Sequence, residues 1–126
     1  MAKTRTIIFK EDDGSVPLLD WMDGLDAKAQ GKLRARFLLL GEQGYEMRRP
    51  HADTLRDGIY ELRAKYRKLN LRVLYFFHGR DAVVLSHGIV KQQADVPDQE
   101  INRAIDRMQR FQTAPERYSY MEFGDE

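Results

Sequence analysis

The chain of 126 residues is 42% hydrophobic and 33% charged, which fits one globular domain with a single apolar core. The lack of cysteine excludes disulfides, thiolate nucleophiles and zinc–thiolate sites, and the three histidines show no metal-ligand spacing. No apolar run reaches the roughly 18 residues of a membrane span and no basic-then-apolar leader opens the chain, so the sequence predicts a cytoplasmic protein without a membrane partner.

The net charge of +1 conceals a basic middle segment. Between Arg48 and Lys91 there are ten basic and four acidic residues, whereas the rest of the chain has eleven basic and sixteen acidic residues. This asymmetry indicates a local anion-binding site. Chance placement of ordinary surface lysines and arginines explains the same counts equally well.

The N-terminal third predicts a strand and then two helices. Residues 4–10 form a β-like run, and Glu11–Ser15 is a turn cluster. Pro17 suits the first turn of a helix that ends near Gly24, and Asp26 is a suitable N-cap for a second helix. Because the link is short, we expect the helices to form an antiparallel hairpin. The second helix has an apolar stripe of period near 3.6: Ala29, Leu33, Phe37 and Leu40.

Three strands and a helix follow. Residues 58–65, Leu69–His78 and Ala82–Val90 are β-forming runs, and Gly79-Arg80 fits a two-residue type II′ turn. Pro97 opens a helix with one apolar face. The order β-α-α-β-β-β-α predicts an α+β domain over residues 1–113, with a mainly antiparallel sheet of about four strands. Composition separates residues 114–126 as an acidic C-terminal tail.

Strand alternation predicts which side chains share a face of the sheet. With two-residue loops at Tyr66-Arg67 and Gly79-Arg80, Arg72 lies opposite Glu61 on one side and His87 on the other. The polar part of this face is then Glu61, Arg63, Lys65, Arg72 and His87, and its apolar part is Leu74, Phe76, Val83 and Leu85. The other face is predicted to be core: Tyr60, Leu62, Val73, Tyr75, Phe77 and Val84.

A face that ends in arginine, lysine and histidine side chains is a candidate site for a phosphate-bearing ligand. Arginine binds phosphate with two parallel hydrogen bonds, and histidine changes charge near neutral pH. The alternative is purely structural: Arg72 and Glu61 form a cross-strand pair, and His87 is a core histidine with satisfied hydrogen bonds.

Three motifs in this region resemble a known family. They are Gly58-Ile59-Tyr60-Glu61-Leu62-Arg63, the run Arg72–Phe77 (RVLYFF), and the run Val84–Lys91 (VLSHGIVK) followed by Pro97 and Glu100-Ile101. Their order and spacing, from Leu55 to Met108, resemble the phage-derived Gp49-like or HigB branch of the RelE/ParE toxin superfamily.

The resemblance implies a RelE-like fold and the toxin of a type II toxin–antitoxin pair. Most relatives are ribosome-dependent mRNA endonucleases that need no metal or other cofactor, because a ribose 2′-hydroxyl attacks the adjacent phosphate. The implied partners are the ribosome, mRNA and a cognate antitoxin, often a helix-turn-helix protein, through which the pair binds operator DNA. Two alternatives remain open: a non-catalytic, ParE-like inhibitor of DNA gyrase, and an inactive phage accessory protein.

The resemblance also assigns site residues. Arg72 matches the arginine that contacts the phosphate or transition state in the superfamily, and Arg63 matches the arginine of the first motif. We assign charge stabilisation at the phosphate to Arg72 together with Arg63. His87 and Lys91 match the last-strand motif. Lys65 and Lys68 fall in the hairpin region where relatives have basic residues. Together with Tyr66, whose ring can stack on an unpaired base, they are the candidate RNA-binding residues. The general acid and base are among His87, Lys91, Lys65 and Tyr66. One family lysine is replaced by Gln92, which removes one cation and adds weight to the inactive alternative.

Overall fold

The computed structural model describes residues 3–124, whose ten elements form one mixed sheet with helices on both faces. In chain order they are β1 (Arg5–Phe9), α1 (Pro17–Asp23), α2 (Ala27–Gln43), a 3₁₀ turn (Gly44–Glu46), β2 (Ala52–Thr54), β3 (Tyr60–Tyr66), β4 (Leu69–His78), β5 (Ala82–Val90), α3 (Asp98–Thr113) and β6 (Ser119–Glu122). No helix within residues 3–124 is long and apolar enough to cross a membrane.

The strand order is β2-β3-β4-β5-β1-β6, in which β1 runs parallel to β5 and the other pairs are antiparallel. The α+β class is confirmed, but the prediction of about four strands was wrong because the sheet has six in the described part of the chain. Strand β2 is too short to show alternation. Strand β6 lies in the segment that composition separates as an acidic tail, and it pairs with β1 at the edge far from β3.

The two faces of the sheet have separate cores. Helices α1 and α2 cover one face, with Leu33, Phe37, Val73 and Tyr75 among its buried side chains. Helix α3 covers part of the other, where Phe111 packs with Leu74, Phe76 and Val84. As predicted, Asp26 caps α2, since its carboxylate accepts hydrogen bonds from the Lys28 and Ala29 amides at 2.9 and 3.2 Å.

The expected hairpin of α1 and α2 takes a different form. The helices follow each other closely, but α1 packs mainly on β5 and α2 mainly on β3, rather than on each other.

The β3–β4 register differs from the predicted one by two residues. The two-residue loop is Arg67-Lys68 rather than Tyr66-Arg67, with Arg67 in the left-handed region at φ 56°. Arg63 therefore faces Arg72, and Glu61 faces Leu74. Because a shift of two residues preserves the side-chain alternation, Glu61, Arg63 and Arg72 still share one face, as predicted.

The β4–β5 register departs from the predicted one at two points, so that His87 lies opposite Leu74 rather than opposite Arg72, although it keeps the predicted face. The loop has three residues, so His78 pairs with Ala82, and this reverses the predicted faces of Val83 and Val84. The assignments of Val83 and Leu85 to the Arg72 face, and of Val84 to the opposite face, were wrong. A β-bulge at Ser86 then adds one more residue, and His87 returns to the face of Arg72.

Helix α1 approaches β5 closely only because position 88 is glycine. A Cβ atom at Gly88 would lie 2.0 Å from Cε3 of Trp21, far inside van der Waals contact. We therefore predict that Gly88→Ala lowers the free energy of unfolding by about 1–3 kcal/mol or more, measured by urea denaturation.

The control for Gly88→Ala is Gly31→Ala, an exposed position inside α2 with open space around it. This change should raise stability by about 0.5–1 kcal/mol through helix propensity. Combining Gly88→Ala with Trp21→Leu should cost less than the sum of the single changes. Strict additivity of the two would contradict the steric explanation.

Candidate functional site

The centre of the site is an arginine–carboxylate cluster formed by Glu61, Arg63 and Arg72. Arg72 Nε donates to Glu61 Oε1 at 3.1 Å. Arg63 donates to Glu61 Oε2 twice, from Nε at 3.1 Å and from Nη2 at 2.8 Å. One carboxylate therefore binds both guanidinium groups, one on each oxygen.

Burial differs sharply within the cluster. Glu61 is 3% exposed and Arg72 is 8% exposed, whereas the Arg63 side chain keeps 26% of its surface in solvent. Burial lowers the pKa of Arg72, and the charge of Glu61 opposes that shift. A buried carboxylate is stable here because three charged hydrogen bonds replace its water shell.

Arg72 keeps donor capacity for a ligand. Its Nη1 donates to the Leu71 carbonyl at 3.0 Å, and its Nη2 has no hydrogen-bond partner within residues 3–124. Arg72 as a whole is 8% exposed and lines a depression at the protein surface. An oxyanion that enters the cluster can therefore bind this nitrogen.

Two depressions meet at Arg63. The first, of about 350 Å³, lies between β3 and the start of α3, and Glu61, Arg63 and Lys91 line it. We call it the groove. The second, of about 310 Å³, lies near the turn of the β3–β4 hairpin, where Arg72, Lys65 and Asn70 line it with Arg63. The groove is lined by four basic and four acidic side chains, whereas the charged side chains that line the second depression are all basic.

Charged pairs from other elements shape the rim of the groove. Arg49 Nη2 lies 2.6 Å from Asp53 Oδ2, which is also 3.6 Å from Arg63 Nη2. The hydrogen bond from Arg49 holds the pKa of Asp53 below its usual range. Arg56 Nη2 lies 2.5 Å from Asp98 Oδ1 and so ties the β2–β3 turn to the first turn of α3.

The two predicted lysines, Lys91 and Lys65, are positioned by different strands. Lys91 follows the last residue of β5, and its Nζ donates to the Ala94 carbonyl at 3.2 Å. Lys65 pairs with Asn70 near the hairpin turn, and its side chain is exposed. The backbone carbonyl of Lys65 accepts a hydrogen bond from Lys32 Nζ at 2.9 Å, and that of Arg63 accepts one from Arg36 Nε at 3.1 Å. Two cations of α2 thereby cap the open edge of β3.

His87 is on the predicted face, but α3 covers it and it is only 5% exposed. Its Nε2 is 2.9 Å from Glu100 Oε1, and its Nδ1 is 2.8 Å from Ser86 Oγ. Arg107 can only donate, and it donates to Ser86 Oγ at 3.3 Å. We therefore assign the Ser86 hydroxyl as the donor to Nδ1 of His87, and the ring N–H to Nε2, which donates to Glu100. Both ring nitrogens of His87 are therefore engaged in binding β5 to α3.

Tyr66 and Lys68 lie away from the cluster. Tyr66 is on the face covered by α2, where the neighbouring Asp26 carboxylate raises the pKa of its phenol. The guanidinium of Arg67 lies 5.3 Å from the centre of the Tyr66 ring. Lys68 is exposed in the hairpin turn. The structure thus brings together Arg63, Arg72, Lys65 and Lys91, and it separates His87, Tyr66 and Lys68 from them.

No three histidine, aspartate or glutamate side chains within residues 3–124 lie close enough together to hold a metal ion.

A sequence comparison places this site in a family. The family model described as "Phage derived protein Gp49-like" matches residues 20–109. The chain belongs to this family. It is a family of RelE/HigB-like toxins, and the matched segment contains the whole arginine–carboxylate cluster, His87 and Lys91. A search of curated proteins found no match to the chain.

Sequence reasoning missed two groups in the site of this Gp49-like protein. It paired Glu61 with Arg72 alone, because the wrong register put Arg63 opposite Asn70. It also missed Glu100, Arg103 and Arg107, which surround His87 from α3. Their spacing of three and four residues beside the apolar stripe was the available signal, since such residues share one side of a helix.

The pKa of His87 provides a test of the buried network. Burial, assisted by the charge of Arg107, lowers it from 6.5 to about 4. The unfolded chain therefore binds the extra proton between about pH 6.5 and 4, and stability should fall as the pH drops through this window, by up to roughly 3 kcal/mol. Urea denaturation across the window should show the fall, and His87→Gln should reduce it.

An NMR titration of the His87 ring supplies the direct measurement. A midpoint near 6.5 in the folded protein would contradict the buried, neutral ring.

Proposed function

We propose that this Gp49-like protein is the toxin of a type II toxin–antitoxin pair and cleaves mRNA on the ribosome. The reaction is attack of a ribose 2′-hydroxyl on the adjacent phosphate, with the 5′-oxygen of the next nucleotide as leaving group. The observation that carries the proposal is the cluster itself: two guanidinium groups share one buried carboxylate, and Arg63 lines the groove while both arginines line the adjoining depression.

The cluster suits charge stabilisation at phosphorus. In the transition state, negative charge grows on the non-bridging phosphate oxygens, and fixed donors that face those oxygens lower the barrier. Arg72, whose Nη2 has no hydrogen-bond partner within residues 3–124, and the partly exposed Arg63 are the groups we assign to this task. Arginine suits it better than lysine because its planar fork binds two phosphate oxygens at once.

The proton of the attacking 2′-hydroxyl passes to solvent water, and proton donation to the leaving 5′-oxygen falls to the lysines of the site. Lys91 lines the groove and Lys65 lines the adjoining depression, so both ammonium groups lie where a bound phosphodiester would pass. His87 and Tyr66 take other roles in this proposal. His87 holds α3 against β5, and the Tyr66 phenol lies near Asp26 on the opposite face. Lys68 in the hairpin turn contributes electrostatic attraction to the RNA backbone.

The ribosome and an antitoxin complete the proposed system. The cationic surface is short and partly neutralised by Glu61 and Asp53, so it does not provide a long track for free RNA. A ribosome that presents mRNA in a fixed position removes the need for such a track. The cognate antitoxin, a small protein that carries a DNA-binding domain, would hold the toxin inactive and bind operator DNA. This toxin acts in the cytoplasm, where translation takes place.

Primer extension on a defined mRNA in a reconstituted translation reaction tests the function. We expect cuts that require both ribosomes and the wild-type cluster, with a loss of about 10²–10³-fold in Arg72→Gln and in Arg63→Gln. The control is Arg117→Gln, because this exposed arginine pairs with Asp12 far from the cluster. Circular dichroism checks that each variant is folded.

Intact mRNA after treatment with folded wild-type protein would contradict the proposal for the codons tested. Inhibition of DNA supercoiling by gyrase, with mRNA intact, would instead support the ParE-like alternative. No effect in either assay would support an inactive accessory protein.

Variants of the other basic and aromatic residues test the division of roles. Lys91→Gln and Lys65→Gln should each lower the cleavage rate, and the one that donates the proton should lose about 10²-fold or more. Tyr66→Phe should cleave at the wild-type rate, because the phenol is on the opposite face. Lys68→Gln should raise KM with little change in kcat. A large loss of kcat in Tyr66→Phe would instead show that the phenol takes part in catalysis.

A further inference from the structure

The position of Glu61 between two arginines does more than neutralise charge. Arg63 and Arg72 face each other directly across β3 and β4, and like charges in that position repel. Glu61 precedes Arg63 by two residues on the same face and lies opposite Leu74, which places its carboxylate diagonally to Arg72. From there each of its oxygens reaches a different guanidinium.

We propose that Glu61 is a positioning residue that fixes both guanidinium groups in the orientation needed to bind the scissile phosphate. This inference rests on the proposed ribonuclease function and names one determinant of its rate. The negative charge of Glu61 weakens the binding of RNA to the site. Its hydrogen bonds fix the orientation in which the two guanidinium groups meet the reacting phosphate.

The donors used and left free show how this works. Arg72 binds Glu61 through Nε, and Arg63 binds it through Nε and Nη2. Arg72 Nη2 and Arg63 Nη1 donate no hydrogen bond within residues 3–124. The carboxylate thus holds one edge of each fork and leaves nitrogen donors for a ligand. An arginine side chain held in this way loses less of its rotamer entropy, about 2 kcal/mol in a free side chain, when phosphate binds.

The charge of Glu61 acts against binding. It neutralises one of the two guanidinium charges at the place where a phosphate must enter. Replacing it with a neutral group of the same shape therefore adds one net positive charge to the site and releases both forks. Binding and cleavage should then change in opposite directions, a result that loss of folding does not produce.

The decisive variant is Glu61→Gln. Its affinity for a short RNA with 2′-O-methyl riboses, which cannot be cleaved, should rise by about 3-fold or more at low salt in fluorescence anisotropy. Its single-turnover cleavage on ribosomes should fall by about 10-fold or more. In wild-type protein, the Nε–H NMR signals of Arg63 and Arg72 should be sharp and protected from exchange, and in Glu61→Gln they should broaden.

The matched control is Asp53→Asn. Asp53 Oδ2 lies 3.6 Å from the same Arg63 guanidinium but does not bridge to Arg72. Its neutralisation should tighten RNA binding to a similar extent, and its cleavage rate should fall by a smaller factor than that of Glu61→Gln, because the carboxylate shared by both arginines is still present. If Glu61→Gln does not fold, Glu61→Asp takes its place. The shorter carboxylate keeps the charge but cannot reach both guanidinium groups, so cleavage should fall without tighter binding.

Three outcomes would overturn the inference. Glu61→Gln that cleaves like the wild type shows that the carboxylate does not set the geometry. Parallel loss of binding, cleavage and thermal stability shows a merely structural role. Loss of the acidic limb of the pH–rate profile in Glu61→Gln shows that Glu61 accepts the 2′-hydroxyl proton itself. An inactive wild type would refute the proposed function alone, since anisotropy and NMR would still test the role of Glu61.

Discussion

Two guanidinium groups face each other across the β3–β4 hairpin, and the sheet tolerates them because a single carboxylate lies between them. Without Glu61, the directly opposed Arg63 and Arg72 would repel, and Arg72 would carry a buried charge without a partner. With Glu61, the three side chains become one unit whose net charge is positive and which borders both the groove and the adjoining depression. The rest of the molecule keeps this unit in place at the boundary between core and solvent.

Helix α3 determines where that boundary runs. It packs on the half of the face that holds Leu74, Phe76 and Val84, and the part of the face beside the cluster is left uncovered by the helix. The chain of hydrogen bonds from Arg107 through Ser86 and His87 to Glu100 attaches the helix to β5 through oriented contacts, in addition to apolar packing. Because a neutral histidine supplies the link, this attachment needs no buried imidazolium charge. His87, a polar residue of the family motif, thus helps to position α3 beside the site and is not part of the exposed surface of the site.

Much of this arrangement follows from local sequence rules, and the exceptions have physical causes. The grouping of Glu61, Arg63 and Arg72 on one face was correct although both loops were misplaced, since the β3–β4 error was two residues and alternation has a period of two. Val83 and Val84 were exchanged because their error was one residue. Strands β2 and β6 were missed since neither alternates over enough residues, and their pairing depends on distant partners. The burial of His87 depends on how α3 docks, which strand periodicity does not specify.

The β4–β5 hairpin carries a further consequence for how sequences of this kind can vary in length. Its three-residue loop and the bulge at Ser86 each displace the strand by one position, and only together do they return His87 to its face. Loss of one residue from the loop alone would turn His87 toward α1. It would also turn Gly88 away from α1, although Trp21 of that helix leaves no room for a side chain at position 88. Insertions and deletions in this hairpin are therefore tolerated in compensating pairs, so an alignment gap in the loop should be accompanied by a second one near the bulge.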